Sequence, residues 1–157
     1  MITKEEVQKA QTEWGNGVVE IGAKKDQREE CERFTSKFLD ERYAFDKKKV
    51  LFKPTKTSLI QFRPDKEGAL SYFIAGNDQY PEDGGFAIQP WTKVRFENEA
   101  MLLEEKRALA MGNYYFTGLD GQEVKVEYTF GYTLDPSGKL KIDVHHSSLP
   151  YNPEASV

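Results

Sequence analysis

The chain has 157 residues, with 22 lysines and arginines against 26 aspartates and glutamates, for a formal net charge of −4. This length suits one domain with its own core, so we expect residues 1–157 to form a single domain. No basic face stands out, which argues against a nucleic-acid partner, and no apolar run approaches the ~20 residues of a membrane span. The polar start predicts a cytoplasmic protein, although a targeting segment trimmed from a precursor would leave the same start.

Residues 3–45 carry the pattern of two helices. Thr3 and Glu6 form a capping box, in which each side chain bonds a free backbone amide at the start of a helix. Apolar residues then recur at helical spacing, namely Val7, Ala10, Trp14, Val18 and Ile21. A second capping box, Asp26 with Glu29, predicts that another helix begins there. We expect the two helices to form a hairpin.

The middle of the chain is less regular. Residues 50–55 predict a short strand, and Pro54 places that strand at a sheet edge because proline cannot donate to a ladder. Residues 67–75 predict a third helix, which Gly76 and Asn77 end. Residues 76–90 are rich in turn-forming residues and predict a loop.

From Trp91 onward the apolar pattern changes to a period of two, which indicates strands. The strand predicted over residues 106–117 is followed by an Asp-Gly turn that favours a hairpin. Residues 124–132 alternate most regularly, and residues 135–138 turn the chain into a final strand. Helices first and antiparallel strands afterwards predict an α+β fold, with the helices on one face of a curved sheet.

The final strand leads into both histidines of the chain, followed by two serines. Successive side chains of a strand point to opposite faces, so His145 shares a face with Ser147, and His146 shares the other with Ser148. The apolar alternation that precedes them selects the second pair as the inward-facing one. A β-bulge at the histidines would select the first pair instead.

The inventory of side chains argues against a metal site. Cys31 is the only cysteine and lies on the apolar stripe of the second helix, which predicts a buried thiol. Two adjacent histidines on a strand face opposite ways and cannot readily bind one ion. A Ser-His-Asp hydrolase lacks its Gly-x-Ser-x-Gly turn, and Asp143 is expected at the surface. We therefore expect no metal and no cofactor.

Four blocks of sequence, together with the histidine–serine ending, resemble the iota-class carbonic anhydrases of cyanobacteria and algae. The blocks are VLFKPT at 50–55, GALSYF at 68–73, FAIQPW at 86–91 and VEYTFGY at 126–132. The similarity spans residues 45 to 151. The ending also resembles that of the association domain of calcium/calmodulin-dependent kinase II, and the order of elements resembles the nuclear transport factor 2-like fold, a cone of helices on a curved sheet.

The resemblance implies reversible hydration of CO2 to bicarbonate, without a metal, in a pocket between the helices and the sheet. Its motifs imply that the catalytic residues are Thr55, Tyr72 and Ser147, so the motif and not the alternation decides for Ser147. They further imply substrate-binding roles for Phe52, Phe73, His145 and Ser148. Hydroxyl groups can position both a water molecule and a developing bicarbonate, so these residue types suit the chemistry.

Two other functions stay open for this fold. One is a non-catalytic assembly domain, as in the kinase, whose cavity would be filled by its own side chains. The other is an isomerase of the ketosteroid type, which needs a carboxylate base in the pocket. Glu127 and Asp143 are predicted to point outward and do not provide such a base.

The strands carry more aromatic side chains than three helices can cover, and an uncovered apolar surface usually marks an interface. These side chains are Trp91, Tyr114, Tyr115, Phe116, Tyr128 and Tyr132. We therefore expect a homodimer that forms through the sheet.

Overall fold

The computed structural model describes residues 1–154 and confirms an α+β fold in which helices precede long strands. The helices are α1 (Lys4–Ala23), α2 (Arg28–Arg42) and α3 (Lys66–Ile74), with a 3-10 turn at Phe86–Ile88. The strands are β1 (Leu51–Lys53), β2 (Trp91–Leu103), β3 (Arg107–Gly118), β4 (Glu123–Leu134) and β5 (Leu140–Ser148). None of the helices in this part of the chain combines the length and apolar character needed to cross a membrane.

The five strands form one sheet in the order β1-β5-β4-β3-β2. All neighbours are antiparallel except β1, which runs parallel to β5 at the edge that Pro54 predicted. The helices pack on one face of this sheet, and Trp14 of α1 lies at the centre of the contact. Its ring centroid is 5.5–6.5 Å from those of six other rings, which are Phe38, Phe96, Tyr114, Phe116, Phe130 and His145.

The first helix begins as predicted and the second does not. At α1, the backbone N–H of Glu6 donates to the Thr3 hydroxyl and the Glu6 carboxylate accepts from the Thr3 N–H, which is the capping box. The predicted box of Asp26 and Glu29 is wrong. The N–H of Gln27 donates to the carbonyl of Lys24, which closes a turn after α1, so α2 begins one residue later without a side-chain cap.

A loop over residues 54–63 connects β1 toward α3 and is fastened at two points. The Arg63 guanidinium is fully buried and makes two 2.8 Å bonds to the carboxylate of Asp83. The backbone N–H groups of residues 58–60 donate to the Glu82 carboxylate, and these bonds lower the pKa of Glu82. The loop is thereby fixed against the segment that follows α3.

A β-bulge in β5 decides which histidine faces the helices. Ile142 pairs with Tyr132 and Val144 pairs with Gly131, so Asp143 is an extra residue between them. Because the bulge reverses the alternation, His145 points toward the core and His146 is exposed. The bulge lies before the histidines rather than at them.

The prediction that Asp143 lies at the surface is wrong, because the bulge turns its carboxylate inward, where it is 6% exposed. Arg107 bonds this carboxylate at 2.7 Å and Lys48 bonds it at 3.1 Å. Burial by itself raises the pKa of Asp143, but the bonds from the two cations outweigh that effect and hold the pKa below its usual range. The carboxylate therefore stabilises the bulge as a paired charge.

Candidate active site

A cluster of buried hydroxyl groups surrounds the imidazole of His145. The ring atom Nδ1 lies 2.8 Å from the hydroxyl of Tyr43, which directly follows α2. On the other side, Nε2 lies 3.0 Å from the hydroxyl of Tyr114 on β3 and 3.0 Å from that of Ser147 on β5. The last two hydroxyls also bond each other. Both ring nitrogens of the histidine are thus fully engaged.

Aromatic rings enclose this imidazole and remove it from water. Phe52 of β1 stacks on the ring at 4.7 Å between centroids, and Phe130 of β4 meets it edge-on at 4.5 Å. Phe73 of α3 lies behind Phe52, with the two ring centroids 6.4 Å apart. Burial, with a smaller contribution from the neighbouring His146, lowers the pKa of His145 well below 6.5, so the ring is neutral at pH 7.

Tyr72 and Thr55 extend the cluster toward the loop after β1. Tyr72 on α3 is 6% exposed, and its hydroxyl accepts a 3.2 Å bond from the backbone N–H of Lys56. Burial raises the pKa of Tyr72 to about 12, against the lowering effects of Lys56 and Thr55. The Thr55 hydroxyl also lowers the pKa of Tyr114, which burial raises, so Thr55 acts on both phenols.

The structure brings together six of the seven side chains that the sequence singled out. Thr55, Tyr72, Ser147, His145, Phe52 and Phe73 meet on the helix side of the sheet. Ser148 does not join them, because the alternation after the bulge turns it to the opposite face. There its hydroxyl bonds the carboxylate of Glu127 at 3.3 Å.

Sequence reasoning missed three members of the cluster, Trp14, Tyr43 and Tyr114. Trp14 was assigned to the apolar stripe of the first helix, and Tyr114 was assigned to the uncovered surface of the sheet. The signal that could have found two of them is a tyrosine at an inward-facing position. A buried phenol needs a hydrogen-bond partner, so such a tyrosine predicts another polar group in the core.

The chemical composition of the cluster limits what it can do. Within residues 1–154, no carboxylate forms a hydrogen bond with its hydroxyls or with His145. No group of three His, Cys, Asp or Glu side chains in the same range is arranged to hold a metal ion. A groove of about 580 Å³ between α1, α2 and the β4–β5 hairpin contains none of the cluster residues.

The burial of His145 predicts that acid weakens the fold. The pKa of His145 is lower in the folded chain than the 6.5 of an exposed histidine, so its stabilising effect is complete above pH 6.5 and is lost as the pH falls below 6.5. We expect the free energy of unfolding to fall by up to about 1.4 kcal/mol per pH unit. Urea denaturation at a series of pH values between 7 and 5 measures this slope.

The pH range and two variants make that measurement specific. The carboxylates with lowered pKa values, including Asp143, Glu97 and Glu123, lose their stabilising effect only at a pH below the range of this measurement. His145→Gln should abolish the slope between pH 6.5 and 5, and His146→Gln should keep it. An equal slope in His145→Gln and the unchanged chain would show that another group is responsible.

Comparison with known proteins points to one family. The family model described as metal-independent carbonic anhydrase matches residues 5–149. A curated metal-independent carbonic anhydrase from Nostoc sp. is 39% identical over 153 residues, which is 96% of this chain and 75% of the relative. The match therefore covers the cluster and all nine elements of the fold.

Solved structures agree with that result. The iota-carbonic anhydrase from a cyanobacterium, crystallised with bicarbonate, superimposes with a TM-score of 0.92 at 38% identity over 96% of this chain and 94% of the other. A Xanthomonas campestris protein described as a calcium/calmodulin-dependent protein kinase II association domain has a TM-score of 0.58 at 25% identity, over 90% and 82% of the two chains. A nuclear transport factor 2-like protein from Salmonella enterica, at 10% identity, TM-score 0.59 and 98% and 94% coverage, shares the fold alone.

Proposed function

The chain belongs to the metal-independent carbonic anhydrase family, and its activity is the reversible hydration of CO2 without a metal ion; we propose that the reaction takes place at the hydroxyl cluster around His145. The observation that carries this proposal is the convergence of Tyr114 and Ser147 on one nitrogen of a buried, neutral imidazole. The function of a non-catalytic assembly domain is not favoured, because the family match is far closer than the match to the association domain.

We assign roles within the cluster by chemistry. The hydroxyls of Thr55, Tyr72 and Ser147 hold the attacking water and the oxygens of the developing bicarbonate. The apolar rings of Phe52 and Phe73 suit CO2, which has no net dipole, and His145 supports Ser147 through Nε2. Ser148 is left out of this assignment because its hydroxyl points to the other face of the sheet.

The reaction joins a water oxygen to the carbon of CO2 and releases one proton. In the absence of a metal, nothing lowers the pKa of water from ~15.7, so the proton must pass to an acceptor, a histidine or a chain of water molecules, as the C–O bond forms. Burial keeps both Tyr72 and His145 uncharged at pH 7. The cluster therefore works through positioned hydrogen bonds rather than through a fixed charge, and we expect slower turnover than a metal-bound hydroxide gives.

Removal of metals tests the proposal directly. We expect protein dialysed against a strong chelator, and shown by elemental analysis to be nearly metal-free, to retain its full rate of CO2 hydration. Ser147→Ala in the same metal-free preparation should lose most of that rate, which ties the activity to the cluster. Activity that disappears with the chelator and returns with stoichiometric zinc or manganese would contradict the proposal.

The homodimer and the cytoplasmic location stay predictions. The structure supports a dimer through the outer face of the sheet, formed by other side chains than the aromatic residues that suggested it. Four of the six aromatic residues that suggested a sheet dimer are buried against the helices, namely Tyr114, Phe116, Tyr128 and Tyr132. The outer face of the sheet still exposes Leu102 and Met111. We expect sedimentation at micromolar concentration to give a homodimer, and Met111→Lys to give a monomer. A monomeric unchanged chain would contradict this prediction.

Cell fractionation would test the predicted cytoplasmic location.

A further inference from the structure

A line of hydrogen bonds reaches His145 from α1, on the side away from Ser147. The indole nitrogen of Trp14 donates to the hydroxyl oxygen of Tyr43 at 3.0 Å, and that hydroxyl lies 2.8 Å from Nδ1 of His145. An indole N–H can donate a hydrogen bond but cannot accept one. The direction of the first bond is therefore fixed by the chemistry of the two side chains.

Burial also fixes the direction of the second bond, which joins Tyr43 to His145. Trp14 is 1% exposed, Tyr43 is fully buried and His145 is 3% exposed, so bulk water does not compete. Because the Tyr43 oxygen already accepts from Trp14, its proton is free to be donated, and Nδ1 is its acceptor within residues 1–154. A proton on Nδ1 would instead leave the Tyr43 proton without a partner, which commonly disfavours a buried arrangement on the order of tenfold or more.

The protonation of the imidazole follows from these bonds. Burial lowers the pKa of His145 far enough that the ring is neutral at pH 7 and carries one proton. Since Nδ1 accepts from Tyr43, that proton is on Nε2. Nε2 then donates to one of the two hydroxyls that lie 3.0 Å away, those of Tyr114 and Ser147.

The position of this proton decides what the cluster offers to a substrate. With a proton on Nε2, one hydrogen bond joins the imidazole to a hydroxyl and a second joins Tyr114 to Ser147, which leaves one hydroxyl proton free. With Nε2 unprotonated, both hydroxyl protons are used within the cluster, and only lone pairs face outward. The cluster is a donor in the first case and only an acceptor in the second.

We propose that Trp14 and Tyr43 are positioning residues that hold His145 in its Nε2–H tautomer and thereby make the Tyr114–Ser147 pair a hydrogen-bond donor toward the substrate. The inference rests on the proposed function for the identity of that substrate, but not for the tautomer. Bicarbonate accepts hydrogen bonds, and so does CO2 as negative charge develops on its oxygens, so a donor favours the transition state. Helix α1, which carries Trp14 and touches no reacting atom, thus helps to decide whether the site donates or accepts hydrogen bonds.

Nitrogen-15 NMR of histidine-labelled protein measures the tautomer directly. The chain has two histidines, so His146→Gln leaves only the signals of His145. At neutral pH we expect a protonated nitrogen at Nε2 and an unprotonated one at Nδ1. A proton on Nδ1, or on both nitrogens, would overturn the proposal whether or not the protein hydrates CO2, so failure here is distinct from failure of the proposed function.

Tyr43→Phe removes the hydroxyl and keeps the ring. We expect a measurable fraction of His145 to move its proton to Nδ1, and kcat to fall about tenfold with little change in KM, because a transition-state donor is lost. The matched control is Tyr132→Phe, since the Tyr132 hydroxyl is buried without a hydrogen-bond partner in the described part of the chain. That control should keep both the tautomer and kcat. Equal kcat in the two variants, or a fall in kcat with the tautomer unchanged, would contradict a positioning role.

Trp14→Phe provides a second variant if Tyr43→Phe does not fold. Without the indole donor, the Tyr43 oxygen can accept a bond from Nδ1 without competition, although the Tyr43 proton still has no other acceptor, so we expect the Nδ1–H tautomer to gain population but less than in Tyr43→Phe. If the tautomer of His145 does not change in Trp14→Phe, Trp14 does not help to hold the Nε2–H form. The measurement on the unchanged chain decides the tautomer itself without any variant.

Discussion

Tyr72→Phe is expected to lower the turnover of CO2 hydration by about 100-fold while leaving the fold intact, because one transition-state hydrogen bond commonly contributes this much. The Tyr72 hydroxyl accepts from the backbone of Lys56, so its own proton is free to be donated to a substrate oxygen. Its pKa of about 12 keeps that proton in place at neutral pH. A stopped-flow assay and a melting temperature on the same sample separate loss of activity from loss of structure.

The control for this variant is the same change on the other face of the sheet. The hydroxyl of Tyr115 bonds the exposed carboxylate of Glu97 at 3.1 Å and is remote from the cluster. Tyr115→Phe should therefore retain the full rate of hydration. If Tyr72→Phe loses about 1 kcal/mol of stability but keeps its activity, the hydroxyl has a structural role only.

Arg63→Met is expected to cost about 3–5 kcal/mol of folding free energy, because it leaves one partner of a buried ion pair uncompensated. Both side chains of the Arg63–Asp83 pair are fully buried. Arg63 also donates to the carbonyls of Gly68 and Ile60, at 2.8 and 2.9 Å, and these acceptors would lose their partner too. Urea denaturation, with the midpoint and slope compared to those of the unchanged chain, measures the cost.

An exposed ion pair and a double variant make this prediction specific. Arg95 bonds the carboxylates of Glu97 and Glu123 on the outer face, where water screens the charges, so Arg95→Met should leave the stability close to that of the unchanged chain. Replacing Asp83 by leucine in the Arg63→Met background should recover much of the lost stability, since no buried charge is then left unpaired. No recovery in the double variant would mean that hydrogen bonds, those of Arg63 to the two carbonyls and that of Ser71 to Asp83, stabilise the loop rather than the charge of Arg63.

The ion pair also bears on the active site, because Arg63 lies at the end of the loop that carries Thr55. With the loop released from Asp83, the position of the Thr55 hydroxyl, which lowers the pKa values of Tyr72 and Tyr114, would no longer be fixed. We therefore expect the double variant, though stable, to hydrate CO2 more slowly than the unchanged chain.

The architecture could be predicted from the sequence because the two periodicities are clear and local. The helical stripe of α1 and the alternation of β4 both reflect which side chains must leave water, and no tertiary information is needed to identify them. The start of α2 could not be predicted, since the turn that closes through Gln27 competes with a cap at Asp26, and the two differ by a single hydrogen bond. Local energies of this size do not determine a boundary.

The site was predictable only in part, for a different physical reason. The blocks that resemble the family contain Thr55 and Tyr72, and the histidine–serine ending contains Ser147. The structure brings these three together, while their roles stay predictions. The hydrogen bond of Tyr43 to His145 joins residues 102 positions apart and leaves no local pattern. Alternation pointed to His146 and Ser148, because a strand periodicity assumes an unbroken ladder and the extra residue in β5 breaks it.

The bulge at Asp143 decides which side chains of β5 face inward and takes no part in the chemistry of the site. Gly131 faces it across the ladder, where an added Cβ would lie 2.9 Å from Val144 and 3.1 Å from Arg107. A substitution at Gly131 or Asp143 that removed the bulge would touch no substrate and alter no proposed catalytic group, yet it would change which side chains of the last strand face inward. Such a variant would lose activity as an active-site mutant does. Its defect, however, is that the wrong side chains of β5 face inward. The same reasoning applies to relatives of this chain, in which one residue gained or lost before the histidines would turn the other serine of the pair inward.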